Sequence, residues 1–248
     1  TTAGGVRMGG GAAPTLTVAD ADAIAELPGV ETVAPIHPGT VQVVYGSNNW
    51  STSAFGTTPG YLDVRDWRVT EGFPFTDSDL RSATRVALLG KTVADNLFGD
   101  EDPVGKTIRV RNSPFVVVGV LGAKGQSLDG RDQDDTILMP LTTAQRKVFG
   151  TQFQGSVRFI NVQAASAEAM NSVERSMNIL LKQRHRIRDG QDDVRHWRRD
   201  HQDFRIGLVP NLGQALVHAA RLDFHRHVDL ALSPHGRVRL AGLASDRG

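Results

Sequence analysis

The stretch GDEDPVGKT, residues 99–107, comes closest of any in this sequence to the chemistry of nucleotide binding. A phosphate-binding loop places four residues between its first glycine and the final Gly-Lys-Thr/Ser, and it joins a strand to a helix so that amides hold phosphate. Here five residues separate Gly99 from Gly105, and three of them, Asp100, Glu101 and Asp102, would repel a polyphosphate. A helix is predicted before the stretch and a strand after it, which is the reverse order. We therefore predict a helix-ending turn instead of a nucleotide site.

A second Gly-Lys-Thr, at residues 90–92, does lie between a predicted strand and a predicted helix. The first glycine of the motif should then stand at position 85, which is Arg85. Because the geometry of the whole loop decides phosphate binding, we predict a structural role here as well.

Other residues whose side chains could take part in catalysis or metal binding are isolated from one another in the sequence. The acidic segment 129–135 (DGRDQDD) lacks the alternating ligands, central glycine and terminal glutamate of a calcium loop, so we predict an exposed polar loop. Ser127 has no nucleophile-elbow motif around it, and His37 and His185 are single histidines with structural or exposed roles predicted. We predict no catalytic, cofactor-binding or metal-binding residues, no cofactor, and a domain that is not itself an enzyme.

The elements that would position these residues alternate between helices and strands. Thr17 and Asp20 have the spacing of a capping box, which predicts a helix start, and "PG" at 28–29 predicts its end. Two strands should follow, separated by His37-Pro38-Gly39. A buried strand over 84–90 and a short helix that ends at Gly99 are predicted next.

The second half of the chain continues this pattern. Residues 106–121 predict two strands joined at Asn112-Ser113-Pro114, followed by a polar loop, a strand at 136–141 and a short helix. Ser166 is predicted to cap a last helix over 167–186. Its apolar face consists of Met170, Val173, Met177, Leu180 and Leu181. The aromatic residues Trp50, Phe55, Trp67 and Phe73 are predicted to serve the core or an interface. The fold class predicted is α+β, with βαβ-type chain ends and a strand-rich middle.

Bulk composition excludes several classes of function. The chain has 248 residues with 28 basic and 27 acidic side chains, so no broad electrostatic surface for nucleic acid is expected. It contains no cysteine, which excludes disulfides and thiolate metal sites. No apolar run approaches the roughly 18 residues of a membrane helix. The Gly-rich start, residues 1–13, predicts a linker, and we expect the chain to be a fragment of a longer protein.

The segment 193–248 differs in composition from the rest. It holds six of the eight His and nine Arg but no Lys, Glu, Thr, Tyr or Met. One interpretation is a metal site that uses His218, His225 and His227, and another is a nucleic-acid tail with Arg195, Arg198 and Arg199. A third interpretation is translation out of frame. When the tail is back-translated with GC-rich codons and the reading frame is shifted by one nucleotide, the result can be an ordinary sequence rich in Ser, Ala and Thr. We favour the third, and we predict an irregular or disordered tail.

Several stretches in order resemble one known family. The stretches "PTLTVADADAIAELPGVETVAPI", "VVYGSNNWSTSAFGTTPGYLDVRDW", "RVALLGKTVADNLFGDEDPVGKTIRV" and "LKQRHRIRDGQDD" resemble the periplasmic core domain of MacB-type ABC transporter permeases, the macrolide-exporter family. The resemblance covers about residues 14–193. It implies a Porter subdomain from 14–40 and 153–192 and an inserted Sabre subdomain over 41–152. The tail 193–248 departs from the family, whose members continue into a membrane helix.

The resemblance also implies a location and a function. The domain would lie on the periplasmic side of the bacterial inner membrane, between the first two of four membrane helices, and would transmit ATP-driven movement to the efflux of drugs, peptides or lipoproteins. Implied partners are a second copy of the permease, an ABC ATPase domain or subunit and, where the member uses one, a membrane-fusion adaptor. No nucleic acid is implied. The alternatives are a soluble extracytoplasmic ligand-binding protein, or a hydrolase with a site around 124–135, which would need convergent titratable groups in a pocket.

Overall fold

A computed structural model describes residues 16–127, 130–150 and 155–185, together with the backbone of 205–210. The helices are α1 (Val18–Ala25), α2 (Gly60–Val64), α3 (Asp77–Ser82), α4 (Lys91–Phe98), α5 (Leu141–Thr143), which continues as a π-helix (Ala144–Phe149), and α6 (Met170–Arg184). The strands are β1 (Val30–Tyr45), β2 (Asn48–Thr57), β3 (Val69–Gly72), β4 (Val86–Leu89), β5 (Thr107–Val110), β6 (Ser113–Leu121), β7 (Thr136–Pro140), β8 (Phe159–Ala164) and β9 (Arg205–Pro210).

The strands form one mixed sheet whose order is β2-β7-β4-β6-β5-β1-β8-β9, with β3 paired to β6. The pairs β2–β7, β4–β6 and β8–β9 are parallel, and the others are antiparallel. The α+β class predicted from the sequence is therefore confirmed. Among the described helices, none is long and apolar enough to span a membrane.

Strand β1 is a single run of 16 residues, so the predicted break at His37-Pro38-Gly39 is wrong. Residues Val30–Ile36 pair with β8, and residues His37–Tyr45 pair with β2. Near its prolines the strand pairs on one side only, so their missing N–H groups remove no ladder hydrogen bond. His37-Pro38-Gly39 therefore mark the place where β1 changes its partner strand, and the chain does not turn there.

Apolar side chains are buried in three clusters. The largest joins α4 to the sheet and includes Val43, Leu97 and Phe115; a second covers the opposite face around Trp67 and Leu138. The third cluster packs α1 and α6 against β8. It contains Ala21, Ile24, Ile160, Val162, Val173, Met177 and Leu181. The predicted apolar face of the last helix is thus confirmed, since its members are either buried in this third cluster or packed against it.

Several local predictions differ from the structure by small amounts. The β5–β6 hairpin turns at Arg111 and Asn112, one residue earlier than expected, because Val110 already pairs with Ser113. The helix predicted after β7 is mostly a π-helix. Strand β3 and helix α3 were not predicted, because both are too short to show a period.

The predicted linker 1–13 and most of the tail lie outside the described residues. Within the tail, residues 205–210 form a strand on β8, which differs from the irregular structure expected there.

Candidate functional site: a polar link between the first and last helices

The N-terminus of α1 is closed by Thr17 and Asp20, as the capping-box spacing predicts. Thr17 donates its backbone N–H and its hydroxyl to Asp20 Oδ2, at 3.0 and 2.8 Å. The backbone N–H of Asp20 returns a bond of 3.2 Å to Thr17 Oγ1. A buried helix start without such partners would leave N–H groups unsatisfied. The capping box therefore explains why a carboxylate lies at this buried position.

The same carboxylate also binds the C-terminal end of α6. Arg184 donates its Nε–H to Asp20 Oδ1 at 2.6 Å, across 164 residues of sequence. His185 Nε2 lies 3.1 Å from Asp20 Oδ2. Oδ1 of Asp20 is thus bonded to Arg184, and Oδ2 is contacted by Thr17 and His185. We call Thr17, Asp20, Arg184 and His185 the end link.

Asp20 keeps its charge although its side chain is only 3% exposed. Burial raises the pKa of this carboxyl, but the hydrogen bonds from Arg184 and Thr17 and the charge of His185 outweigh it, so that the pKa lies below its usual range. An ionised carboxylate that has given up most of its water needs such donors. The charge of Asp20 is thus compensated by donors from both α1 and α6.

The end link lies on the apolar cluster of α1, β8 and α6. Ala21 and Ile24 follow Asp20 on the buried side of α1, and Leu181 precedes Arg184 on α6. The two helices therefore meet through both apolar packing and a charged contact. Asp20 has no oxygen without a donor, so the arrangement serves attachment better than proton transfer.

The stretch GDEDPVGKT forms the predicted helix-ending turn. Helix α4 ends at Phe98, Gly99 has φ +60°, and Gly105 donates its N–H to the carbonyl of Val117 at 2.8 Å. Glu101 accepts hydrogen bonds from Lys106 Nζ at 2.5 Å and from the Tyr45 hydroxyl at 3.0 Å. The lysine that would contact phosphate is engaged by the turn's own carboxylate.

The other Gly-Lys-Thr is engaged in a similar way. Lys91 pairs with Asp95 one helical turn later at 2.7 Å, and Thr92 donates to Asp132 Oδ2 at 2.7 Å. The lysine and the hydroxyl of this motif are thus both held by carboxylates.

The acidic loop uses its carboxylates to hold itself in place. Asp134 accepts the backbone N–H groups of Lys124 and Gly125 at 2.7 and 2.9 Å. Asp135 accepts the indole N–H of Trp50 at 2.8 Å. The Ser127 hydroxyl donates to the carbonyl of Arg131 at 2.9 Å. Within the described residues, no three His, Asp or Glu side chains are grouped as metal ligands.

The four aromatic residues separate into core and surface. Trp67 is buried and its indole N–H donates to the carbonyl of Gly122 at 2.7 Å. Trp50 and Phe55 are partly buried against the apolar clusters, whereas Phe73 is 80% exposed.

Sequence reasoning did not find the end link. It identified Asp20 as a capping residue and His185 as an isolated histidine, and it did not single out Arg184. No local spacing connects residues that lie 164 positions apart. The pairing of α1 and α6 against one sheet brings them together.

Comparison with known proteins places the chain in a family. The family model described as the MacB-like periplasmic core domain matches residues 1–180. A macrolide export ATP-binding/permease protein MacB of Syntrophobacter fumaroxidans is 42% identical over 168 residues, which are 67% of this chain and 23% of that protein. A pyoverdine export ATP-binding/permease protein PvdT of Pseudomonas aeruginosa is 36% identical over 174 residues, 70% of this chain and 25% of the relative. The chain thus spans about a quarter of the length of these relatives.

Two solved structures share the fold. The extracellular domain of the noncanonical ABC-type transporter YknZ from Gram-positive bacteria superposes with a TM-score of 0.59 at 26% identity, over 71% of this chain and 87% of that one. The periplasmic region of MacB from Actinobacillus actinomycetemcomitans gives 0.60 at 24% identity, over 70% and 76%. The chain belongs to the family of MacB-like periplasmic core domains, the extracytoplasmic core domain of ABC transporter permeases.

Proposed function

We propose that this domain transmits ATP-driven movement of a membrane permease to the export of a substrate. The observation that carries the proposal is the end link: α1 and α6, the first and last of the described helices, share one buried carboxylate. If each end continues into a membrane helix, as in the permease architecture, a displacement of either helix passes directly to the other. The domain then moves as one body, because α1 and α6 stay attached to each other under load.

The proposal includes an internal division. Residues 14–40 and 153–192 would form the Porter subdomain and residues 41–152 the Sabre subdomain. The change of partner of β1 between Ile36 and His37 supports a boundary close to the proposed one. The separate apolar cluster of α1, β8 and α6 supports it as well.

The partners and substrates are part of the same proposal. A second copy of the permease and an ABC ATPase would supply the paired movement, and a membrane-fusion adaptor would receive the substrate in systems that have one. The relatives' names combine ATP-binding with permease and mention macrolide and pyoverdine export. We propose that this permease likewise exports drugs, peptides or lipoproteins from the periplasmic side of the inner membrane.

The gene that encodes the domain gives the first test. Apolar stretches of about 20 residues on both sides, with an ABC ATPase in the same gene or the next one, are expected. A secretion signal directly upstream, without a downstream membrane helix, would instead support a soluble binding protein.

The end link gives the functional test. In the complete permease with its ATPase, Asp20→Asn should lower the amount exported per ATP hydrolysed, because force applied to one helix is less well shared with the other. Asp22→Asn is the matched control, since Asp22 is an exposed residue of the same helix. Equal export by the two variants at equal protein level would refute a role of the end link in transmission.

A further inference from the structure

His37 lies at the point where the chain passes from one part of the sheet to the other. Ile36 pairs with Phe159 of β8, and His37, the next residue, pairs with Gly56 of β2. Strand β1 is thus one connection between the region of α1, α6 and β8 and the rest of the sheet. The second connection begins at Phe149, the last residue of the π-helix, and enters β8 through residues 155–158.

The His37 side chain also contacts this second connection. Its ring centroid lies 5.6 Å from that of Phe149, the last residue of the π-helix. The backbone of Ser156 lies close enough to the imidazole to influence its pKa. A β-carbon at Gly39 would lie 2.2 Å from the Phe149 ring, which shows that this ring packs directly on the backbone of β1. One histidine therefore touches both connections.

The surroundings of His37 favour the neutral ring. Burial lowers the pKa of its imidazole, the backbone of Ser156 raises it, and the nearby cation Arg158 lowers it further. Its Nδ1 is buried without a hydrogen-bond partner in the part of the chain that the structure describes. The other cations on the packed elements are Arg111, whose guanidinium lies 5.3 Å from the Phe149 centroid, and the exposed Arg146 and Lys147 of the π-helix.

Protonation would place a second cation beside Arg158 and an N–H without an acceptor in a buried position. A buried unsatisfied donor and a close like charge are both unfavourable. The ring can be hydrated if Phe149 and residues 155–158 move away from β1.

We propose that His37 is a proton-sensitive hinge contact: the neutral ring holds the end of the π-helix against β1, and protonation releases this contact so that the two regions of the sheet move relative to each other. The inference concerns this domain alone and is independent of the proposed export function. The direction of the pH effect follows from the linkage between protonation and conformation. Above about pH 6.5 the ring is neutral whether the contact is closed or released. Below that pH the released state binds the proton more readily than the closed state. The closed state therefore loses stability as the pH falls towards the lowered pKa that His37 has in it.

The absence of cysteine from the chain allows a direct test. Spin labels at Ser47→Cys, at the exposed end of the β1–β2 hairpin, and at Asn171→Cys, on the exposed side of α6, report the distance between the two regions. We expect one narrow distance distribution at about pH 7.5 and a shifted or broader one at about pH 5, which brackets imidazole titration. His37→Gln, which stays neutral, should abolish the change. Gln42→Ala, at an exposed position of the same strand, is the matched control and should keep it.

A titration links the movement to this ring. In the full chain, the pH midpoint of the distance change should coincide with the midpoint of the His37 imidazole measured by NMR. Arg158→Met removes the neighbouring cation and should move both midpoints to higher pH. Identical distributions at the two pH values, the same response in His37→Gln, or a midpoint that does not follow the His37 ring would each overturn the proposal. If His37→Gln does not fold, the coincidence of midpoints in the parent chain decides.

Discussion

Replacement of Asp20 by asparagine is the sharpest test of how α1 and the end of α6 are held together. The change keeps the size of the side chain but removes the charge that Arg184 and His185 contact at 2.6 and 3.1 Å. Removing one partner of a fully buried ion pair costs about 3 to 5 kcal/mol. Because the Arg184 side chain is 37% exposed and can regain water, we expect a loss of about 2 kcal/mol.

This loss can be measured by urea and thermal unfolding of the 248-residue chain. In a domain of this size 1 kcal/mol moves the melting midpoint by about 2–4 °C, so a decrease of about 6 °C is expected. A double-mutant cycle with Arg184→Met should give a coupling of at least about 1 kcal/mol. Asp22→Asn, on the exposed side of the same helix, should change stability by less than about 0.5 kcal/mol.

The pH dependence provides an independent check on the charge. The pKa of Asp20 is lowered in the folded chain, so its contribution is fully present above the unfolded value of about 3.9 and is lost as the pH falls through the folded value. The parent and Asp20→Asn should therefore become more similar in stability in strong acid. Additive effects of the two substitutions, or a difference that does not decline below about pH 4, would refute an ionic end link.

Four further outcomes follow from the structure. Gly72→Ala should destabilise the domain by at least about 3 kcal/mol, because φ is +76° and the new β-carbon would lie 2.2 Å from the backbone carbonyl oxygen of Val118. Gly46→Ala, where φ is +55° and the β-carbon would meet open space, should cost about 1 kcal/mol. Equal costs measured by urea unfolding would contradict the contact at Gly72. The pKa of Tyr45 is raised by its hydrogen bond to Glu101, so absorbance titration should show Glu101→Gln lowering one of the two tyrosine transitions, and an unchanged curve would exclude the bond. Calorimetry with Mg-ATP should detect no binding to the chain, and micromolar affinity would refute the structural interpretation of both Gly-Lys-Thr stretches. For residues 193–248, the coding DNA should read as an ordinary segment of the family in a shifted frame, and in-frame relatives of the tail would disprove this.

Local patterns carried most of the sequence-based prediction. The capping box of α1, the glycine end of α4 and the apolar face of α6 are signals within a few residues, and all three are confirmed. The family resemblance rests on such segments in order and is also confirmed. Local signals were misleading at His37-Pro38-Gly39, because turn-forming residues are also tolerated in a strand that pairs on one side.

Contacts between distant parts of the chain could not be predicted in this way. Asp20 and Arg184 meet because α1 and α6 pack on the same strands, and one sequence without relatives has no signal for that pairing. The half-buried position of His37 has the same origin, since Phe149 and Ser156 approach it from another part of the chain.

The continuity of β1 restricts which mutations this domain can accept during evolution. Side chains of a strand alternate between faces, so inserting or deleting one residue near Ile36 would exchange inside and outside along half of the strand. That half would expose Val41 and Val43 and bury Gln42, which lies between them. Many substitutions in β1 keep the alternation of buried and exposed side chains, whereas every insertion or deletion of one residue breaks it. The length of this strand should therefore be inherited more strictly than the identity of its residues.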